Sequence, residues 1–212
     1  VDARTDPPGS DSLATESLLR LVECFLCYQP PADAPPVAVP PGAARGQTTF
    51  GSFNALDKVS PSTTAAWAAI LAAKPDSRLV LKSSKLGDVS VRERLLARFE
   101  THGVGRARIE CLPWTGSIRE HLECYGNVDI ALDPFPYNGT TTTCESLYMG
   151  VPVVALAGAA HAGRVGCSLL SSVGHPELVA TSVEHYVRLA VDLASDPERL
   201  AALRRGLRSA VT

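Results

Sequence analysis

The sequence predicts an α/β fold, a mostly parallel sheet with helices on both faces. Three observations carry that prediction. From Thr48 onward, apolar runs of strand length alternate with amphipathic stretches of helix length. The apolar runs hold few charges, as strands buried on both sides do. Helix-length stretches separate successive runs, so the strands are joined by crossovers and run parallel.

In chain order, strands are expected at 49–53, 78–82, 108–112, 128–132, 153–156 and 178–180. Helices are expected at 62–73, 89–102, 117–125, 141–149, 164–173, 183–194 and 198–211. Ser60 or Ser62 beside Pro61 marks the start of the first helix. Gly150-Val151-Pro152 stops the fourth before the next apolar strand. Ahead of this repeat, 1–17 is polar with Pro and Gly and reads as a disordered end or linker. An inter-lobe segment, 18–46, follows. Its apolar part, 18–28, reads as an ordered strand or helix, and Pro30-Pro31, Pro35-Pro36 and Pro40-Pro41 then make an extended, helix-free tether. Residues 47–212 form the α/β lobe.

Composition excludes several classes. With 20 Lys+Arg against 22 Asp+Glu and 6% aromatic residues, the chain lacks the basic excess of a nucleic-acid binder. No run reaches the ~18 apolar residues of a membrane span. The beginning of the sequence, with Asp2, Arg4 and Asp6, lacks the apolar segment of a signal peptide, so an intracellular protein is expected. Six cysteines in apolar or helical surroundings read as reduced thiols. Cys24-Phe25-Leu26-Cys27 has C-x-x-C spacing but no second pair or neighbouring histidine to complete a zinc site, so it reads as a buried segment.

Ligands of parallel sheets sit beyond the carboxyl ends of the strands. The most informative loop there is Asp133 to Glu145, with Asn138, Gly139 and four consecutive threonines, Thr140, Thr141, Thr142 and Thr143, leading from strand to helix. Free amides and the positive end of the helix dipole converge on this turn, which favours an anion. A single hydroxyl is enough to cap the helix, and four point to a ligand as well. Glu145, one helical turn after Thr141, either faces a ribose or simply complements the dipole. After the first strand, Asn54 to Pro61 places Lys58 at the rim, where it either meets a diphosphate or is a solvated lysine. Lys82 and Lys85 have no distinctive pattern and receive no role. His121, in the loop and helix after 108–112, either faces a planar base or lies on an amphipathic surface. The turn 158–166 is small enough for backbone to approach a ligand closely, so Arg164 or the amides near it are candidate phosphate contacts, and His161 is a further candidate donor-binding residue. Asp129 and Asp133 read as strand-end residues.

Phe50-Gly51-Ser52-Phe53-Asn54, Lys58, Pro61-Ser62-Thr63, the threonine run with Cys144-Glu145-Ser146-Leu147-Tyr148-Met149-Gly150-Val151-Pro152, and His161-Ala162 with Val165-Gly166 together carry a resemblance. So do Glu23-Cys24-Phe25-Leu26-Cys27-Tyr28 and the stretch 186–208. From about Leu18 to its end the chain resembles the SPINDLY branch of the O-GlcNAc-transferase-like glycosyltransferases. The resemblance implies the C-terminal lobe of a GT-B fold, Rossmann-like, holding a nucleotide sugar. It implies that Lys58 contacts the donor diphosphate and is needed for transfer, that Thr141 and Thr142 bind phosphate, that His121 packs near the base, and that Glu145 holds the ribose. The O-GlcNAc transferases proper have histidine where Thr140 stands, glutamine for Ala55 and aspartate for Glu145, so the donor is expected to be GDP-fucose or UDP-GlcNAc.

The implied reaction is inverting transfer of a sugar to Ser or Thr of proteins in the cytoplasm and nucleus, with no metal or other cofactor. The N-terminal catalytic lobe and the tetratricopeptide repeats that grip acceptor proteins are not in these residues, so this stretch alone is expected to be inactive. The rival reading is a non-catalytic nucleotide- or protein-binding module that retains the lobe. An epimerase of related architecture fits the threonine run less well.

Overall fold

Every apolar run expected as a strand becomes one. A computed structural model describes residues 1–42 and 46–211, so positions 43–45 of the expected tether and Thr212 lie outside it. The strands are β1 (Thr49–Ser52), β2 (Arg78–Lys82), β3 (Ile109–Leu112), β4 (Ile130–Leu132), β5 (Val153–Leu156) and β6 (Val179–Ala180). They form one sheet in the order β3-β2-β1-β4-β5-β6, parallel throughout. The helices are α1 (Pro61–Ala73), α2 (Val89–Glu100), α3 (Ile118–Glu123), α4 (Thr141–Tyr148), α5 (Val165–Ser172), α6 (Val183–Ala194) and α7 (Pro197–Val211). All four residues of β1 are buried, which requires cover on both faces of the sheet.

The strand order fixes where a ligand can bind. The chain lays β2 and then β3 on one side of β1, and crosses to the other side for β4, β5 and β6. The direction of winding therefore reverses between β1 and β4, and the loops leaving these two strands part to form a crevice. The two loops singled out in the sequence, 54–61 and 133–143, are those loops.

Buried apolar side chains form a continuous core through the sheet, with Trp67, Tyr186, Phe50 and Phe99 fully inaccessible. A polar line runs through it toward the crevice: Trp67 Nε1–H donates to Tyr186 Oη at 3.0 Å, and Tyr186 donates to the Asp133 carbonyl at 2.9 Å. Both polar tips are satisfied, so these large rings stabilise the core without a desolvation penalty, and they pin the end of β4.

Several expectations need correction. Residues 1–17 are not a loose end: Asp2 and Thr5 are buried, Ser10–Leu13 make a 3₁₀ turn, and Asp2 forms an isolated parallel bridge with Leu21. Residues 18–28 form neither a helix nor a longer strand. The Cys24–Cys27 segment is only partly buried, with Cys27 exposed, although Phe25, Leu26 and Tyr28 pack on Cys144, Val165 and Leu169. All six cysteines are unpaired. The tether is fastened rather than free, since the buried Arg204 guanidinium donates to the carbonyls of Ala38, Val128 and Tyr125, and Pro41 and Gly42 are helical. The fourth strand starts at Ile130, two residues later than expected, and the third helix gives way to a 3₁₀ turn at Cys124–Asn127.

Candidate functional site

The crevice has an anion side built mainly from backbone. Strand β4 delivers Asp133, whose Oδ1 accepts the Gly139 amide at 2.7 Å and so folds the loop back on itself. A Cβ on Gly139 would lie 2.6 Å from Thr143 Oγ1, 2.7 Å from Thr142 Oγ1 and 2.8 Å from Asp133 Oδ1, so no larger residue fits there. Asn138, fully buried, closes the loop from the other side: its Nδ2 donates to the Pro134 carbonyl and its Oδ1 accepts the Gly166 amide. The Ser60 hydroxyl, which also caps α1, and the Thr63 hydroxyl both donate to the Phe135 carbonyl, tying the β1 loop to the β4 loop.

Helix α4 then points its amino end into this frame. Thr140, at the N-cap position, makes no side-chain cap, and the amides of Thr141 and Thr142 meet no acceptor among the described residues. Gly150, with φ +74°, ends the helix in the left-handed conformation that its lack of a side chain permits. Lys58, half-buried, donates from Nζ to the Asn138 carbonyl at 2.8 Å, with the Tyr137 ring 4.2 Å away. Burial lowers its pKa, and the neighbouring Asp133 charge partly restores it. Asp133 itself is raised to about 7: burial dominates, opposed by the Gly139 amide, the Lys58 charge and the Thr143 hydroxyl. Asp133 Oδ2 and Thr143 Oγ1 are both buried, and neither finds a hydrogen-bond partner of good geometry among the described residues. Asn54, from the end of β1, accepts the Thr142 hydroxyl at 2.9 Å.

The other side is built from side chains. His121 Nε2 lies 3.0 Å from Glu145 Oε2, and His121 Nδ1 lies 2.8 Å from Lys82 Nζ. An ammonium can only donate, so Nδ1 accepts, and the ring proton sits on Nε2 and points at Glu145. Tyr125 Oη approaches the same carboxylate oxygen at 3.4 Å. Lys82 is 3% exposed, and burial lowers its pKa against the attraction of Cys124 and Glu145.

The structure thus brings Asn54, Lys58, His121, Asn138, Gly139, Thr140, Thr141, Thr142, Thr143 and Glu145 to one crevice. It turns the side chains of His161 and Arg164 elsewhere. His161 Nδ1 meets Asp6 Oδ2 at 2.6 Å, and Arg164 donates to the carbonyls of Arg4 and Gly158. Only the backbone of this turn reaches the anion loop, where the Asn138 amide donates to the Ala162 carbonyl. Sequence reasoning passed over Asp133 and Lys82. A charged residue ending a strand that is otherwise buried was the available signal for both. Among the described residues no cluster of three or more His, Cys, Asp or Glu could hold a metal, and no helix is long and apolar enough to cross a membrane.

A six-stranded parallel sheet of this order, with helices on both faces and a crevice at its switch point, is a Rossmann-like lobe of GT-B type. Comparison with known proteins narrows it. The signature of glycosyl transferase family 41 matches residues 42–211. A relative from Arabidopsis thaliana, the probable UDP-N-acetylglucosamine–peptide N-acetylglucosaminyltransferase SPINDLY, is 48% identical over 98% of this chain. The solved structure of a mutant O-GlcNAc transferase from Thermobaculum terrenum superposes with a TM-score of 0.93 at 42% identity, over 99% of this chain and 39% of its own. Sucrose-phosphate synthase from Thermosynechococcus elongatus, with a TM-score of 0.61 and 16% identity over 82% of this chain and 45% of its own, shares the fold alone. The chain belongs to glycosyl transferase family 41, and it spans 23% of the length of the Arabidopsis relative.

Proposed function

We propose that this chain is the donor-binding lobe of a protein O-glycosyltransferase that moves a sugar from GDP-fucose or UDP-GlcNAc to Ser or Thr of proteins in the cytoplasm and nucleus. The observation that carries the reading is the convergence, at the β1/β4 switch point, of Lys58, the free first-turn amides of α4 and the threonine hydroxyls. A diphosphate leaving group gathers negative charge as the sugar departs. Fixed donors in a partly buried crevice stabilise that charge without reorganising. On the other side, Glu145 Oε2 is engaged by His121, which leaves Oε1 to accept from ribose hydroxyls. The acceptor hydroxyl and its base belong to the part of the protein outside this chain, so the chain alone binds donor and transfers nothing. No metal is required when Lys58 and the helix end carry the diphosphate charge.

Calorimetric titration of the chain with GDP and with UDP tests the reading. One of the two is expected to bind, and Lys58→Ala is expected to weaken it about tenfold, as loss of one charge-assisted contact does, with the melting temperature unchanged. In the full-length protein the same substitution is expected to lower kcat by about 10²-fold or more. A fully active Lys58→Ala enzyme would refute the assignment.

A further inference from the structure

The base side of the crevice ends in an indole that the nucleotide reading has not used. Trp114, in the loop after β3, is 61% exposed. Its ring is nearly parallel to that of His121, at 20°, with the centroids 6.4 Å apart. Beneath both sits Lys82. Its Nζ lies 2.8 Å from His121 Nδ1 and 5.3 Å from the centre of the Trp114 ring, so one buried cation orients both planes. His121 is in turn braced by Phe53, Tyr125 and Glu145, whereas the outer face of Trp114 has no comparable support.

A planar base inserted between two rings needs them about 7–8 Å apart, two contact distances of 3.5–4.0 Å. The observed centroids, 6.4 Å apart, are closer than that, and the member that must move outward is the exposed one on a loop. We propose that Trp114 is the outer jaw of a base clamp whose fixed inner jaw is His121, so that the nucleobase of the donor is held between two rings rather than laid on one. The inference rests on the nucleotide reading above and goes beyond it by adding a recognition residue. The larger overlap of a bicyclic base with indole also makes Trp114 a determinant of purine over pyrimidine preference.

The chain contains two tryptophans, and the other, Trp67, is fully buried in the core out of reach of a nucleotide, so a ligand-dependent change in emission is assigned to Trp114. Titration with GDP or UDP is expected to quench the emission saturably, with the dissociation constant found by calorimetry. Trp114→Ala is expected to abolish the quench and raise that constant about tenfold, the usual cost of removing one base-stacking ring. Trp114→Phe keeps a stacking ring and is expected to stay within about threefold of wild type. If Trp114→Ala binds nucleotide as tightly as the parent, or if the Phe variant fails as badly as the Ala variant, the clamp is wrong while the donor-lobe reading stands. Failure of the unaltered chain to bind either nucleotide overturns both.

Discussion

The two sides of the crevice are built in opposite ways. On the anion side the ligand-facing groups are mostly amides and short hydroxyls, placed by a loop of a few residues that Asp133, Asn138 and Gly139 lock from within. On the base side they are the side chains of Trp114, His121 and Glu145, supported from beneath by the buried Lys82 and drawn from the loop after β3, α3, α4 and β2. The first arrangement is closely packed, with no room for a Cβ at Gly139. The second is a network of separate side chains, in which replacement of one member leaves the backbone in place. In the donor lobe proposed above, the anion side would serve the diphosphate that nucleotide donors share, and the base side would be where donors differ.

The sharpest way to break this comparison is through Asp133, because the anion side depends on a carboxyl in an adverse place. With its pKa raised from 3.8 to about 7 by burial, the folded state holds the Asp133 proton more tightly than the unfolded state does. This group's contribution therefore makes stability fall as pH rises between about 4 and about 7, and leaves it level above that. At ~1.4 kcal/mol per pKa unit the effect amounts to at most about 4 kcal/mol. Asp133→Asn keeps an oxygen to accept the Gly139 amide and removes the ionisation. Denaturant unfolding of both proteins from pH 4 to 8 is expected to show the variant gaining on wild type across that window. A difference that does not change with pH would mean that Asp133 is not the strained group described here.

Gly139→Ala tests the rigidity directly. The added methyl meets Thr143, Thr142 and Asp133 at 2.6 to 2.8 Å, and none of them can retreat without opening the loop. Overpacking of this kind costs about 1–3 kcal/mol. The amides of the first turn would also move away from a bound diphosphate. Loss of both thermal stability and nucleotide affinity is expected, by calorimetry and thermal melts. Retention of affinity would show that the loop is as adaptable as the base side.

The same contrast explains what could be read from the sequence. The sheet and its helices were legible because apolar runs, caps such as Ser60 and stops such as Gly150 are local signals. The threonine loop was legible for the same reason, since its strand, turn and helix are contiguous. Lys82 was harder to read: a charge ending a buried strand was its one local signal, and its partner His121 is 39 residues away. Residues 1–17 misled for a related reason. They are polar and contain Pro and Gly, which reads as a loose end, yet their polar groups are satisfied by the lobe. Asp2 accepts the Phe25 amide and the Ser168 hydroxyl, and Asp6 meets His161. His161 and Arg164, candidates from the sequence, make contacts that the sequence did not announce: His161 with Asp6, and Arg164 with the carbonyls of Arg4 and Gly158.

The smallest expected effect comes from Lys82→Met, which tests whether the base side is a network of side chains over a fixed backbone. Lys82 is buried, and methionine approximates its shape without the cost of desolvating a charge. Replacing such a group by an apolar one of similar volume is often neutral or stabilising, so the melting temperature is expected to hold or rise. His121, however, loses the donor to Nδ1 that fixes its tautomer. With either ring nitrogen then free to carry the proton, the ring holds Glu145 Oε2 for only part of the time, and the carboxylate is less well aimed at a ribose. Loss of one charged hydrogen bond of this kind is worth about 1.5 kcal/mol, or roughly tenfold in nucleotide affinity. Nitrogen chemical shifts of His121 would distinguish a network effect from simple loss of charge. In the parent, Nδ1 should report an unprotonated nitrogen and Nε2 a protonated one, and in the variant the two should average. An unchanged tautomer with weakened binding would mean that Lys82 acts on the ligand through its own charge, and the base side would then share the electrostatic design of the anion side.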